Sequence, residues 1–274
     1  MYRGNTRSIT AASDMTSDPN AAALKSVPMF AELREDDLAR IASLLHRRRH
    51  RKSAMIHLQG DRLAALCLIG AGRVKLVVTG EDGKDLVLST RGVGDFFGEQ
   101  SLFDSQPLGM SIIAMEDVEL LLLPQGDFHR MLRELPDIAF GLLRILLHRL
   151  RQADMRLSAV ALLDVPQRVA HILLELADEN DGRVITEPVT HQFLSELVGA
   201  TRESVSRSMS QLTQQGVIST GRETAVISER RQAASGNSEP STVEVGRRII
   251  RIENRAALER AAGRLDLKPG SPAS

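Results

Sequence analysis

The chain has 274 residues, 42% of them hydrophobic and 26% charged, with 35 basic and 35 acidic side chains and a net charge of zero. That length predicts two domains, the composition predicts a soluble globular protein, and the neutral balance excludes a whole-molecule basic field as the basis of nucleic-acid binding. The single cysteine, Cys67, excludes an internal disulfide, a Cys-x-x-Cys redox pair and a cysteine-ligated iron–sulfur cluster within one chain.

Residues 1–23 are polar and lack apolar periodicity, so a flexible arm is expected there. No apolar run is long enough to span a bilayer and no signal-peptide pattern opens the chain, so the expectation is a cytoplasmic protein without a membrane partner. Leu33, Leu38, Ile41, Leu44 and Leu45 recur at helical spacing, which predicts short helices between Leu24 and Leu45. From Arg49 to Leu123 short apolar runs alternate with turns: Leu66–Ile69, Val74–Val78, Leu86–Leu88, Ser111–Ala114 and Val118–Leu123. Glu81-Asp82-Gly83-Lys84 is a hairpin signal. Many short strands at close spacing predict a barrel or jelly roll over 24–134. The basic run His46–Lys52 reads as a solvated edge strand guarded against pairing, with an anion or nucleic-acid site as the alternative.

The rhythm changes at Pro136. Ala139, Leu143, Leu146, Leu150, Ala153, Leu157 and Val160 step by fours and threes, the a/d seam of a heptad repeat. With charged residues flanking it, the segment 135–163 reads as a dimerisation helix, against the alternative of an amphipathic helix lying on its own barrel. Pro166 ends it, because the residue before a proline is pushed out of the helical region.

The remaining segment, 164–274, forms a second domain. Val169, Ile172, Leu173 and Leu176 predict a helix over Gln167–Ala177, and Val184-Ile185 a small strand. Then Thr190 caps a helix with an apolar stripe of Leu194, Leu197 and Val198. Gly199 supplies a turn with positive φ, and Thr201 caps a second helix whose Val205, Met209 and Leu212 face the first. Arg202, Glu203 and Arg207 fall on the outward, N-terminal part of that second helix, which enters the major groove in a helix-turn-helix. Arginine pairs with guanine O6 and N7, and glutamate accepts from cytosine N4. An ordinary αα-hairpin is the competing reading. Ser206 and the later Arg222 join the expected DNA contacts, Thr201 and Arg222 at phosphate. Ala225–Ser228 and Thr242–Val245 predict strands of a wing extended over about 223–247, and Arg255–Arg264 a last helix.

This order of parts resembles the Crp/Fnr family of transcription regulators over residues 24–252. The marks of the resemblance are Glu81-Asp82-Gly83-Lys84 with Leu86–Ser89, Gly94-Asp95-Phe96-Phe97-Gly98-Glu99, Leu162-Leu163-Asp164-Val165, and Thr201-Arg202-Glu203-Ser204-Val205-Ser206-Arg207. The resemblance implies an α+β architecture: a cyclic-nucleotide-binding-like β-roll, a long dimerisation helix and a winged helix-turn-helix. It implies a homodimer that binds double-stranded DNA at an inverted TGTGA-like repeat and works with RNA polymerase. Ser208 departs from the pattern, standing where such motifs bury an aliphatic residue.

The sensor departs further. Family members that bind cyclic nucleotides hold the cyclic phosphate with a helix N-terminus, an Arg and a Ser or Thr, and the ribose with a Glu. Glu99, after Gly98, matches that Glu. The Arg-Ser/Thr positions fall on Leu108 and Gly109, or with a small shift on Met110 and Ser111, and no Lys or Arg lies between Arg91 and Arg130. The adenine-side Thr-Ser pair of the prototype is Ala153-Asp154 here. The nucleotide pocket is therefore expected to be degenerate, with cyclic AMP not bound and no cofactor assigned. The histidines form no ligand pair, and Cys67 lies in an apolar strand and reads as core, so no metal site is expected. A ligand-binding module responding to another nucleotide, such as a cyclic dinucleotide contacted by Arg47–Arg51, is the alternative function. An enzyme is not expected, since no nucleophile motif, P-loop or metal triad is present.

Overall fold

The computed structural model describes residues 19–104, 106–178, 182–185, 189–229 and 241–263, with the backbone course alone for 222–229 and 241–248. Cα proximity groups the described residues into two compact units. One holds those up to Leu76 with Thr90–Leu146; the other holds Val77–Ser89 and those from Leu147 onward.

In the first unit, helix α1 (Pro19–Lys25), a 3-10 turn (Pro28–Phe30) and helix α2 (Glu35–Ala42) precede the strands. The arm expected through residue 23 is thus shorter: Ala21 and Ala23 pack against the core beside fully buried Leu24. Asn20 Nδ2 also donates to the Ala42 carbonyl at 3.3 Å. Residues 1–18 lie outside the described residues.

Two four-stranded sheets follow. One has the order β1 (His46–His50), β8 (Val118–Pro124), β3 (Ala65–Ala71), β6 (Phe96–Phe97). The other has the order β2 (Met55–His57), β7 (Ser111–Ala114), β4 (Val74–Thr79), β5 (Asp85–Arg91), with Val77–Thr79 and Asp85–Ser89 counted in the second unit. Strands β3 and β8 explain the continuous apolar runs. Successive side chains leave a strand on opposite faces. Leu66 and Leu68 of β3, with Leu121 and Leu123 of β8, enter a cluster with Phe30, Ile41 and Phe128. Cys67 and Ile69, with Val118 and Leu120, enter another with Val74, Phe97 and Ile112. Both faces are covered, so neither strand alternates with polar residues. Truncating Leu68 to Ala would cost about 2–5 kcal/mol, the range for a buried leucine.

Strand β1 is the sheet edge, and Arg47 and Arg49, two of its three arginines, are engaged. Arg47 Nη1 and Arg49 Nε donate to the two oxygens of Glu119 at 2.6 and 2.8 Å. Arg51 reaches Asp117 at 3.1 Å, and Arg47 Nε reaches Asn20 Oδ1 at 2.7 Å. Asp117 is held below the usual carboxylate range, chiefly by the Lys52 backbone N–H. This is the charged, guarded edge that the sequence predicts. Helices α3 (Glu99–Asp104) and α4 (Gln125–Glu134) complete the fold of this unit.

Helix α5 (Pro136–Leu162) has two apolar faces. Ile138 and Leu142 are buried in the N-terminal core, and Ile145 and Leu146 pack beside them. Phe140, Leu143, Leu147, Leu150, Leu157 and Val160 are exposed. Leu146 therefore leaves the seam assigned to it; Leu147, one position on, takes the outward place, because the helix wraps its own core with the 138–142–145/146 face.

Helix α5 ends in a capping box. Asp164 Oδ1 accepts from the Gln167 N–H at 2.9 Å, and Gln167 Oε1 accepts from the Asp164 N–H at 3.0 Å. Helix α6 (Val165–Asp178) starts there, with Pro166 in its first turn, where the missing N–H is harmless. Strand β9 (Val184–Ile185), helices α7 (His191–Val198) and α8 (Arg202–Gln214), strands β10 (Ile218–Glu229) and β11 (Ser241–Ile252), and helix α9 (Arg255–Ala262) follow. Val169, Leu173, Leu194, Val198, Val205, Ile218, Ile250 and Leu258 form this unit's core. The order β10-β11-β9 makes the wing sheet.

Candidate nucleic-acid interface and nucleotide pocket

The Thr190 hydroxyl accepts from the Phe193 N–H at 3.0 Å and opens α7. Gly199, at φ 64° and ψ 47°, ends it in the left-handed region that a side chain resists. The Thr201 hydroxyl accepts from the Ser204 N–H at 3.3 Å and opens α8. Three residues thus separate two capped helices. Val205, Met209 and Leu212 are buried against Leu194 and Val198, which fixes the rotation of α8 about its axis. Thr201, Arg202, Glu203 and Arg207 are exposed as a result. Arg202, Glu203 and Arg207 make no hydrogen bond or ion pair with the described residues, so three charged groups stand free on the first two turns.

Ser208 is buried, and its hydroxyl donates to the Ser204 carbonyl at 3.0 Å. That bond satisfies the polar group left in the core where an aliphatic residue is usual. Ser206 is only half-exposed: its Oγ lies 3.1 Å from His191 Nδ1, in the first turn of α7. The sequence reading passed over His191. The contact joins residues on two helices, and only the helix start at Thr190 hinted that this ring is set beside α8.

The wing is a two-stranded ribbon with twelve residues per strand, in register from Ile218 opposite Ile252 to Glu229 opposite Ser241. At about 3.4 Å per residue it is roughly 40 Å long. Its register sets Arg222 opposite Arg248. The side chain of Arg222 and the wing tip, residues 230–240, lie outside the described residues.

In the roll, Gly98 at φ 95° follows β6, and a Cβ there would stand 2.6 Å from the Ala65 carbonyl oxygen and 2.8 Å from Leu63 Cδ2. Only glycine fits. Glu99 is 7% exposed at the start of α3. Leu108 is 3% exposed, and its backbone is tied to the 58–61 turn: its carbonyl accepts from the Gly60 N–H at 2.8 Å and its N–H donates to Asp61 O at 2.9 Å. Gly109 faces open space. The loop on which the phosphate contacts were expected is thus anchored by a buried leucine. Ala153 and Asp154 are both exposed on α5. Cys67 is buried, and burial pushes its thiol up to about 12, so it is a core residue. Among the described residues no group of three His, Cys, Asp or Glu side chains could hold a metal ion, and no helix is long and apolar enough to cross a membrane.

Residues 47–134 match the cyclic nucleotide-binding domain and residues 167–232 the Crp-like helix-turn-helix domain. The chain is 34% identical over 206 residues to a cyclic AMP receptor protein of Thermus thermophilus, covering 75% of this chain and 94% of that protein. The chain belongs to the Crp/Fnr family of transcription regulators. A CRP-like cAMP-activated global transcriptional regulator of Mycobacterium tuberculosis is 32% identical over 180 residues, 64% of this chain and 79% of the relative. Among solved structures, the c-di-GMP-responsive global regulator CLP of Xanthomonas campestris aligns with a TM-score of 0.61 at 25% identity, covering 68% of this chain and 95% of that one. Like other Crp/Fnr proteins, this one is a DNA-binding regulator, not an enzyme, with an α+β architecture of nucleotide-binding-type roll, long helix and helix-turn-helix.

Proposed function

We propose that this Crp/Fnr regulator is a cytoplasmic homodimer that reads an inverted TGTGA-like repeat without needing cyclic AMP. The observation that carries the DNA reading is the free set Arg202, Glu203 and Arg207 on the first two turns of a doubly capped α8. Two arginines there match guanine edges, and the glutamate between them matches a cytosine amino group. Thr201 and Arg222 contact phosphate, holding the protein in place without reading sequence. The exposed stripe Leu143, Leu147, Leu150 and Leu157 on α5 supports dimerisation, since a free apolar heptad face of this length calls for a second helix. The dimer spaces the two recognition helices about one DNA turn apart, roughly 34 Å. RNA polymerase is the further partner.

Two relatives bear cyclic AMP in their names, so the sensor reading rests on this chain's own residues. A buried cyclic phosphate needs its charge compensated. An arginine would supply a charge-assisted contact of about 1.5–3 kcal/mol, roughly 10- to 200-fold in affinity. Leu108 and Gly109 supply none, and Asp154 adds a negative charge where the prototype has a hydroxyl. A second reading, a cyclic dinucleotide effector, is favoured by the likeness to CLP. Against its proposed contacts, Arg47, Arg49 and Arg51 are already paired with Glu119 and Asp117.

Fluorescence anisotropy with a palindromic duplex and a random duplex tests the reading. Arg202→Ala is expected to weaken the palindrome and leave the random duplex nearly unchanged. Equal losses on both would remove the base-reading role.

A further inference from the structure

The second unit contains a cleft of about 840 Å³ that the DNA reading does not use. Its walls come from the last turns of α5, from α6 and from α9, and α9 lies beyond the helix-turn-helix match, which ends at residue 232. The volume is within the range of small-molecule sites, roughly 300–1,000 Å³. Met155 of α5, Leu174 of α6 and Ala262 of α9 give it an apolar lining.

The charged residues around it divide into spent and free. Arg156 is bonded to Glu175 and to the Leu88 carbonyl. Asp178 and Glu259 both receive Arg255, at 2.7 and 3.0 Å. The side chains of Arg260 and His171, which also line the cleft, have no hydrogen-bonding or ionic partner among the described residues. An incoming group therefore meets occupied carboxylates and an unoccupied guanidinium, whose planar fork of donors matches a carboxylate. Three arginines (Arg156, Arg255 and Arg260) and three carboxylates (Glu175, Asp178 and Glu259) surround the cleft, and Arg260 is the one of these cations outside the ion pairs, so a group with a single negative charge is its complement.

We propose that this cleft binds a monoanionic organic acid with an apolar body. Arg260 takes the acid group, His171 supports it, and the apolar body lies along Met155 and Leu174. The cleft touches α5 on one side of the Leu163-Asp164 break and α6 and α9 on the other, so an occupant ties the end of the long helix to the DNA-binding domain. This makes the site an effector site displaced from the β-roll. The coupling to DNA rests on the function proposed above; occupancy of the cleft does not.

Titration calorimetry of the full-length protein with decanoate and 2-naphthoate tests the site, with decylamine as the control of opposite charge. One acid per chain is expected to bind, and decylamine is not. Arg260→Gln should weaken binding at least tenfold, and Met155→Trp, which fills the cleft from an exposed position, should abolish it, each with an unchanged circular dichroism spectrum. Failure of both acids to bind, equal binding of decylamine, or binding indifferent to both substitutions overturns the site. Saturating acid should also shift operator affinity. An unchanged operator affinity with the acid bound overturns the coupling, whereas a protein that ignores the operator with and without acid overturns the DNA reading and leaves the calorimetry standing.

Discussion

Helix α8 and the loop before β7 are the two places where the proposed function rests on two or three side chains, and the two differ. On α8 the charged groups are all present, exposed and free. In the loop, Leu108 is buried and Gly109 faces open space, and neither carries a charge. The difference teaches that the residues that hold a scaffold need not be those that would hold a ligand. Gly98, Phe96 and Phe97 are held by packing, and a Cβ on Gly98 would strike the Ala65 carbonyl, so these residues have reasons to stay that do not involve a ligand.

That contrast is most strongly tested through assembly. Leu150→Glu sets a charge in the middle of the exposed α5 stripe and should yield monomers by light scattering, with palindrome affinity down by more than about 100-fold, since two half-sites would then be bound separately. A dimer that persists would move the interface elsewhere. Next in size is an attempt to repair the pocket. Gly109→Arg with Met110→Ser, the register between the two expected ones, should raise cyclic AMP affinity by roughly 10- to 200-fold by calorimetry, the value of one charge-assisted contact. Open space around Gly109 leaves room for the new side chain. Micromolar cyclic AMP binding by the unaltered chain would break the comparison outright.

On the recognition helix, Arg202→Ala and Arg207→Ala should each lose about 1–3 kcal/mol of operator binding and relax preference at one base pair, read by competition among single-base variants of the site. Glu203→Ala should relax the cytosine position more than it weakens the complex. The smallest effect concerns Cys67. Its raised folded-state value means that its contribution to stability is complete below the ordinary thiol value of 9.0 and is lost as pH rises from there toward about 12. Native protein should resist iodoacetamide at pH 8 and label only on unfolding; rapid native labelling would show that β3 opens.

Legibility followed locality. The helix-turn-helix could be read because its caps, Thr190, Gly199 and Thr201, act on neighbours three residues away, and its apolar positions repeat at helical spacing. Strand β6, two residues long, and helix α3 carry no period of their own and exist because β3 and the core hold them. Helix α4 buries only Phe128 and Met131, too few to set a rhythm. On α5 the heptad spacing did not say which face packs on the chain's own core. Helix α5 is apolar on two faces, and stepping by threes and fours fits Leu146 as well as Leu147 until the N-terminal core claims the former. The first helix hid in an alanine-rich stretch whose single anchor, Leu24, means little until α2 lies beside it. The pairing of His191 with Ser206 joins two helices, and no local pattern announces it.

The capping box at Asp164 and Gln167 has a consequence for how such a chain is assembled over evolutionary time. Within four consecutive residues the next helix finds its start, through hydrogen bonds that Asp164 and Gln167 make with each other. A recombination event at this point hands over the whole following segment with its starting signal intact. A regulator built around such a junction can exchange its sensor and keep its reader, or the reverse, without redesigning the joint.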